Sequence, residues 1–404
     1  MAKFFDFKNK KEKVRVSPKK AESETSEDFE QKLKAHKRKN LLLFASVFLL
    51  LVLIIVGVTF YFEYRVYKDY TVKEYIELSS TTSSKFYEFG EFLLRYTNDG
   101  VTYIKESGVV WNQPFDMTAP VISVCGDVVA IAEQGGTTIY VYNTKGMLGE
   151  VETRYPIVDI AVSSQGVVTA STDDGALSYL EMYDKDGNNL VTGQTSLTGE
   201  YGMPLDLSSS YDAKRLIVSY LAVSGSSTKN IVVFYNFSDI GKNELYRIVG
   251  TYEQEDSVII PRVQFVTDEV AVAIGGDFFA VYDIVQKPVL RCSVTLDGDI
   301  LSFFYSDEYL GFVIDTGDKN KVCVYDFDGN PVMEKTTDFS YDTVKFDHDN
   351  VILYNDTHMI VISNKGKIRY DEDFKETVID VIVTDDEYTY LAVTVEGIKK
   401  IKLK

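Results

Sequence analysis

The 404-residue sequence is short of cysteine, histidine, tryptophan and proline, and each shortage argues against a class of protein. The only thiols are Cys125, Cys292 and Cys323. They are odd in number, fall on separate expected strands and lack short ligand-like spacing, which argues against a disulfide framework or a zinc site and leaves them as small apolar fillers. Beyond the N-terminal tail the histidines are His348, in FDHDN, and His358, in NDTHMI. Neither has a second histidine at ligand spacing; both are expected in one repeat, His348 in a tight turn and His358 opening a strand. No HExxH, G-x-S-x-G or P-loop sequence occurs, so metalloprotease, serine hydrolase and nucleotide-driven readings lose their usual anchors. With 45% hydrophobic and 25% charged residues and 8 prolines, the chain has an ordinary globular composition and can build a core.

Charge is unevenly distributed. Residues 1–40 hold 13 Lys or Arg against 7 Asp or Glu, a net +6, and residues 41–62 hold none; the overall −19 therefore leaves −25 on residues 63–404. Such a domain repels nucleic acid and anionic surfaces, and no nucleic-acid partner is expected. The run LLLFASVFLLLVLIIVGVTFYF, Leu41 to Phe62, is long enough as a helix to cross a hydrocarbon core of about 30 Å. It is too long, and starts too far from the N-terminus, for a cleaved signal peptide, and reads as a retained signal anchor with the lipid bilayer as its partner. Lys32, Lys34, Lys37, Arg38 and Lys39 crowd its N-terminal side, which places the N-terminus in the cytoplasm and the acidic bulk outside the cell membrane. Phe60, Tyr61, Phe62, Tyr64, Tyr67 and Tyr70 are expected at the membrane interface. Four segments follow: a disordered basic tail (1–40) in which Ser17 or Thr25 could regulate docking, a transmembrane helix (41–62), a short linker (63–70) and the large domain (71–404).

After residue 62 there is no long period-3.6 stripe; short β-branched and aromatic runs alternate with Gly, Asp, Asn and Ser. The runs repeat. VISVCGDVVAIAEQGGTTIYVYNTKG from Val121, VQFVTDEVAVAIGGDFFAVYDIVQ from Val263 and VKFDHDNVILYNDTHMIVISNKG from Val344 share one grammar: strand, polar turn, strand, turn, strand. First turns fall near Gly90, Gly126, Gly166, Asp212, Asp268, Asp307, Asp349 and Asp386, at spacings of 36, 40, 46, 56, 39, 42 and 37 residues. These approach the period of four-stranded propeller blades, in which each small sheet buries its faces against its neighbours. The fold class is therefore an all-β propeller preceded by a single transmembrane helix, with eight blades favoured and seven as the alternative. The last copy reaches Lys404 after three strands, and Val72 to Leu78 is placed to supply the fourth and close the ring.

Candidate sites are few. The turns DKDGNN and DFDGNP put Asp184, Asp186, Asp326 and Asp328 in position as weak calcium ligands, but Asp-Gly is also the chemistry of a tight hairpin and no turn completes an EF-hand loop; the hairpin reading is the stronger. The single tryptophan, in VVWNQPF, offers a possible interaction surface of Trp111, Asn112 and Gln113, although inter-blade packing accounts for most aromatics. No catalytic residue and no cofactor are assigned, calcium remaining the sole candidate ion.

The stretches LLRYTNDGVTYIKESGVVWNQPFDMTAPVISV, YGMPLDLSSSYDAKRLIVSYL and VVFYNFSDIGKNELYRIVGTYEQEDSVIIPRVQF resemble an uncharacterised bacterial family carrying a domain of unknown function, found mainly in Gram-positive anaerobes. The resemblance implies a single-pass, membrane-anchored propeller of quinoprotein-like or WD40-like architecture, and brings no activity and no functional residues with it. The expected role is a non-catalytic scaffold or ligand sensor at the cell surface, with envelope or membrane proteins as partners. A glycan- or small-molecule-processing enzyme with funnel carboxylates, and a calcium-dependent adhesion module, are the alternatives.

Overall fold

In a computed structural model, residues 26–78, 83–195, 202–224, 227–254 and 258–404 are described; Ser17 and Thr25 lie outside them. Residues up to Arg65 and from Val66 onward form separate compact units. The first contains one helix, Ser26–Tyr64. It begins well before the apolar run, so residues 26–40 are helical where the sequence suggested disorder. EDFEQKLKAHKRK is rich in good helix formers, and a helix nucleated in the apolar segment propagates into such residues at little cost. Its apolar side chains are exposed all round, among them Leu41, Phe44, Phe48, Leu53 and Ile55.

Eight four-stranded antiparallel sheets make up the second unit. Their inner strands, which number the blades 1 to 8, are Lys85–Phe89, Pro120–Cys125, Ile157–Val162, Met203–Ser209, Arg262–Phe265, Asp299–Tyr305, Thr343–Asp347 and Val378–Val383. Period-2 alternation does the packing. In the second strand of blade 1, Phe92–Thr97, Leu94 and Tyr96 turn to blade 2 and pack with Val129 and Ile131, while Leu93 turns to blade 8 and meets Ile382 and Leu391. Because both faces are covered, second strands such as Val270–Ile274 and Thr389–Thr394 are buried at every position. Each large side chain so removed from water contributes about 1.5–3 kcal/mol. The 56-residue spacing belongs to blade 4, whose second and third strands, Arg215–Ser224 and Ser227–Asn236, are each ten residues long and are followed by two short 3-10 turns.

The ring closes as the repeat required. Tyr70–Glu77 pairs antiparallel with Gly397–Leu403, from Tyr70 opposite Leu403 to Glu77 opposite Gly397, and becomes the outer strand of blade 8. Tyr67 and Tyr70, expected at the bilayer surface, are instead 9% and 3% exposed and join Tyr354, Tyr370, Tyr390 and Phe374 in the core between blades 7 and 8. A tyrosine beside an apolar helix reads as an interfacial anchor from sequence, but this blade edge offers it a deeper site. Asp69 is bridged by Lys375 at 2.5 Å and Lys404 at 2.9 Å, which hold its carboxyl far below the usual range. The segment treated as a linker therefore belongs partly to the propeller from Val66 on.

Candidate functional site

All eight first turns emerge on one face. Consecutive turns touch: Ser164 donates its N–H and hydroxyl to the Tyr211 carbonyl at 3.0 and 2.7 Å, the Asp212 N–H donates to Asp268 at 2.8 Å, and His348 Nε2 lies 3.1 Å from the Asp385 carbonyl. The inner strands thus run side by side and bring their ends to the mouth of a central channel. Tyr211 of blade 4 and Tyr305 of blade 6 interact across it, two blades apart. Tyr211 retains 37% of its surface, yet burial pushes its hydroxyl upward, as expected for a ring leaning into a channel.

Carboxylates of the channel wall are spent on joining blades. Asp206 accepts the N–H of Val263 at 2.7 Å, Ser208 Oγ accepts that of Phe265 at 2.9 Å, and Ser123 Oγ accepts that of Val162 at 3.1 Å. Glu88 takes the N–H of Val383 at 3.4 Å across the junction of blades 1 and 8, and Tyr354 of blade 7 donates to Asp380 of blade 8. Asp159, Asp206 and Asp380 each follow a β-bulge in an inner strand, and bulges re-aim the next side chain. Burial, aided by the charge of Asp159, pushes Asp206 up to about 6, and burial also raises Asp159. The fully buried Asp347 receives the Tyr390 hydroxyl at 2.6 Å and His348 Nδ1 at 2.9 Å, again joining blade 7 to blade 8.

At the mouth the balance differs. Between blades 6, 7, 8 and 1 lies a cavity of about 480 Å³ whose acidic lining is Glu88, Asp307, Glu308, Asp349 and Asp385. None of these has a lysine or arginine nitrogen within 4 Å among the described residues. Tyr305, Tyr309 and Phe346 supply aromatic surface to the same cavity, with the Tyr309 and Phe346 rings 6.4 Å apart. Desolvation raises the Glu88 carboxyl, with the charge of Lys345 pulling the other way. On the opposite arc Arg215 and Lys214 neutralise Asp212, and Arg215 reaches Glu269 at 3.4 Å.

The residues singled out from sequence lie elsewhere. Asp184 accepts the N–H groups of Asp186 and Asn188 and the Asn188 side-chain amide at 2.9 to 3.0 Å; Asp326 does the same with Asp328 and Asn330 at 2.8 to 3.0 Å. Gly187 and Gly329 follow at φ of 81° and 80°, so both loops are the same closed hairpin turn. Asp186 pairs with Lys185, and Asp328 lies 3.8 Å from Arg291. Trp111 is stacked 5.5 Å from Tyr142 where blades 1 and 2 meet, its Nε1 buried without a partner among the described residues, and Asn112 accepts from Thr102 at 2.6 Å. Gln113 pairs with Val101 in the sheet ladder. These residues do not converge with the calcium candidates or with the mouth. His358 opens its strand as expected, its ring nitrogens 2.7 Å from Asp373 and 2.8 Å from Asp371. Of the mouth acids, Asp307 and Asp349 are visible in the sequence as turn markers of the repeat, but only the closed ring shows that such turns share a face.

Residues 63–403 match a family of unknown function, DUF5711. The chain belongs to that family. No curated protein matches it. Among solved structures, the DUF5711 chain is similar to the dihydro-heme d1 dehydrogenase NirN in complex with DHE, at 12% identity and a TM-score of 0.53, covering 83% of this chain and 78% of that one. It is also similar to Kuenenia stuttgartiensis hydrazine synthase, at 11% identity, TM-score 0.46 and coverage of 72% and 98%. The WD40 domain of Neurospora crassa Pan2 matches at 10% identity, TM-score 0.43 and coverage of 70% and 87%. At such identities the likeness is one of propeller fold alone.

Proposed function

We propose that the DUF5711 protein is a single-pass protein of the cell membrane, N-terminus cytoplasmic and propeller outside, that acts as a non-catalytic scaffold or ligand sensor for envelope or membrane proteins. Its contact face is the channel mouth. The anchor reading is supported by a helix whose apolar residues are exposed on every side, which lipid would cover, and by the lysines and arginine that precede them. The observation that carries the binding reading is the division among carboxylates. Those of the wall, and Glu88 at its upper end, are committed to inter-blade hydrogen bonds, while Asp307, Glu308, Asp349 and Asp385 at the mouth have no ion-pair partner among the described residues and are open to solvent.

The enzymatic reading has one observation in its favour: Asp206, raised to about 6 beside Asp159, has the pKa of a general acid. Its Oδ2 is held by the Val263 amide, however, and that bond is sufficient reason for the residue. Affinity purification of the membrane-embedded protein after mild crosslinking, against a control retaining only tail and helix, tests the proposal. Envelope or membrane proteins enriched only with the propeller, and lost in a Glu308→Gln/Asp349→Asn variant, are the expected result; identical recoveries with and without the propeller would refute it.

A further inference from the structure

The cavity at the mouth is specific enough to name the chemistry of its ligand. We infer that it binds an organic cation, an ammonium or guanidinium group such as a lysine or arginine side chain or a polyamine presents. This deepens the reading above and rests on its choice of face.

Three observations converge. The first is charge: Asp307, Glu308, Asp349 and Asp385 come from three consecutive first turns, Glu88 faces them from blade 1, and no lysine or arginine bridges any of them among the described residues. Lys345 acts on Glu88 from beyond 4 Å and His348 is tied to Asp347, but the four turn carboxylates have no ion-pair partner among the described residues; they repel one another, and a bound cation relieves that repulsion. The second is the aromatic surface. Tyr305, Tyr309 and Phe346 are half-buried, so part of each ring remains open beside the carboxylates. A ring face attracts a cation electrostatically, more strongly once the site is desolvated. The third is the geometry of the acids. Calcium needs six to eight converging oxygens, and among the described residues no three His, Cys, Asp or Glu side chains stand close enough to hold one ion. The carboxylates are instead spread around a volume of about 480 Å³, which suits a bulky charge approached from several sides. His348 lies on the same wall, but its Nδ1 is held by Asp347 and its Nε2 by the Asp385 carbonyl, so the ring is tied to the frame.

The test uses the full-length protein in nanodiscs of zwitterionic lipid, titrated calorimetrically with spermine and with a six-residue arginine peptide at low and high salt. Glu308→Gln/Asp349→Asn removes two rim charges. Asp116→Asn/Asp277→Asn makes the same charge change at connections on the opposite face, and Tyr309→Leu removes a ring while keeping apolar volume. The expected result is binding that weakens with salt, about tenfold weaker in the rim variant and within twofold of wild type in the opposite-face control, with a loss in Tyr309→Leu at an unchanged melting temperature. Peptide binding without spermine binding would assign the cation to a polypeptide; equal binding of both would show that the free amine suffices. An equal loss in the opposite-face control, no effect of Tyr309→Leu, or binding of neither probe would overturn the inference. If neither probe binds while crosslinking still captures propeller-dependent partners, this site fails and the scaffold reading stands; if capture also fails, both fall.

Discussion

Ring closure depends on a strand drawn from the other end of the chain, and Tyr70 is where that dependence can be measured. Its side chain is 3% exposed and packs among Tyr370, Phe374 and Leu403. Its hydroxyl accepts the Lys375 N–H at 2.9 Å, and the Lys375 ammonium sits 4.4 Å from its ring. Tyr70→Ala removes the ring and leaves a cavity, for which large-aromatic truncations cost about 3–5 kcal/mol; the lost cation–π contact adds about 0.5 kcal/mol. An unfolding entropy of roughly 2.1 cal/mol/K per residue amounts to about 0.7 kcal/mol/K for a unit of this size, so a loss of about 4 kcal/mol lowers Tm by about 6 °C. Differential scanning fluorimetry of the full chain in detergent reads the shift, with Val72→Ala, at a position 49% exposed on the same strand, as a control expected to move Tm by less than about 1 °C. A Tyr70→Ala shift below about 2 °C, or one matched by Val72→Ala, would mean that the strand decorates the ring and does not close it.

Three further outcomes are expected. Partial burial draws the His358 pKa down, but Asp373 and Asp371 outweigh it and hold the imidazolium above its ordinary value. Its stabilisation is therefore complete below about pH 6.5 and disappears as pH rises through the folded value; the Tm difference between wild type and His358→Gln should be largest near pH 5.5 and vanish in alkali, and a difference that grows with pH would reverse the argument. Asp206→Asn keeps an acceptor for the Val263 amide without the charge. Because the folded carboxyl titrates near 6, above its unfolded value, ionisation opposes folding from pH 4 upward, and the variant should match wild type near pH 4 and be more stable at pH 7.5 by about 1 kcal/mol after solvent screening. A loss of stability at pH 7.5 would show that the charge itself is needed. Asp326→Ala opens a hairpin closed by three hydrogen bonds and should cost about 1–2 kcal/mol equally in calcium and in chelator, whereas a cost seen only with calcium present would make Asp326 a calcium ligand.

Much of the architecture was legible along the chain because its causes are local. An uninterrupted apolar run of 22 residues is long enough for a helix of membrane-spanning length, and Asp-Gly turns separated by alternating strands recur wherever a small sheet must be stacked on another. The unpaired third strand near Lys404 even called for a partner, and Tyr70–Glu77 supplied it. What misled was a property shared by two environments. Tyr67 is amphipathic, so it suits a bilayer surface and a blade edge equally, and only the position of Tyr388, its ring 4.8 Å away, decides between them. Asp184 and Asp326, read from sequence as hairpin residues ahead of calcium ligands, accept the N–H groups of Asn188 and Asn330.

The sequence by itself determined the apolar helix, the all-β class, the repeat and the closing strand, since each follows from periodicity and hydrogen-bonding need within a few dozen residues. Only the tertiary structure decided which acids act together. Glu88 and Asp349 are 261 positions apart yet line one cavity, while Asp347, two residues from Asp349, is sealed between blades with Tyr390. Chain distance carries no information about such pairs, because charges interact through space and it is ring closure that sets the distance.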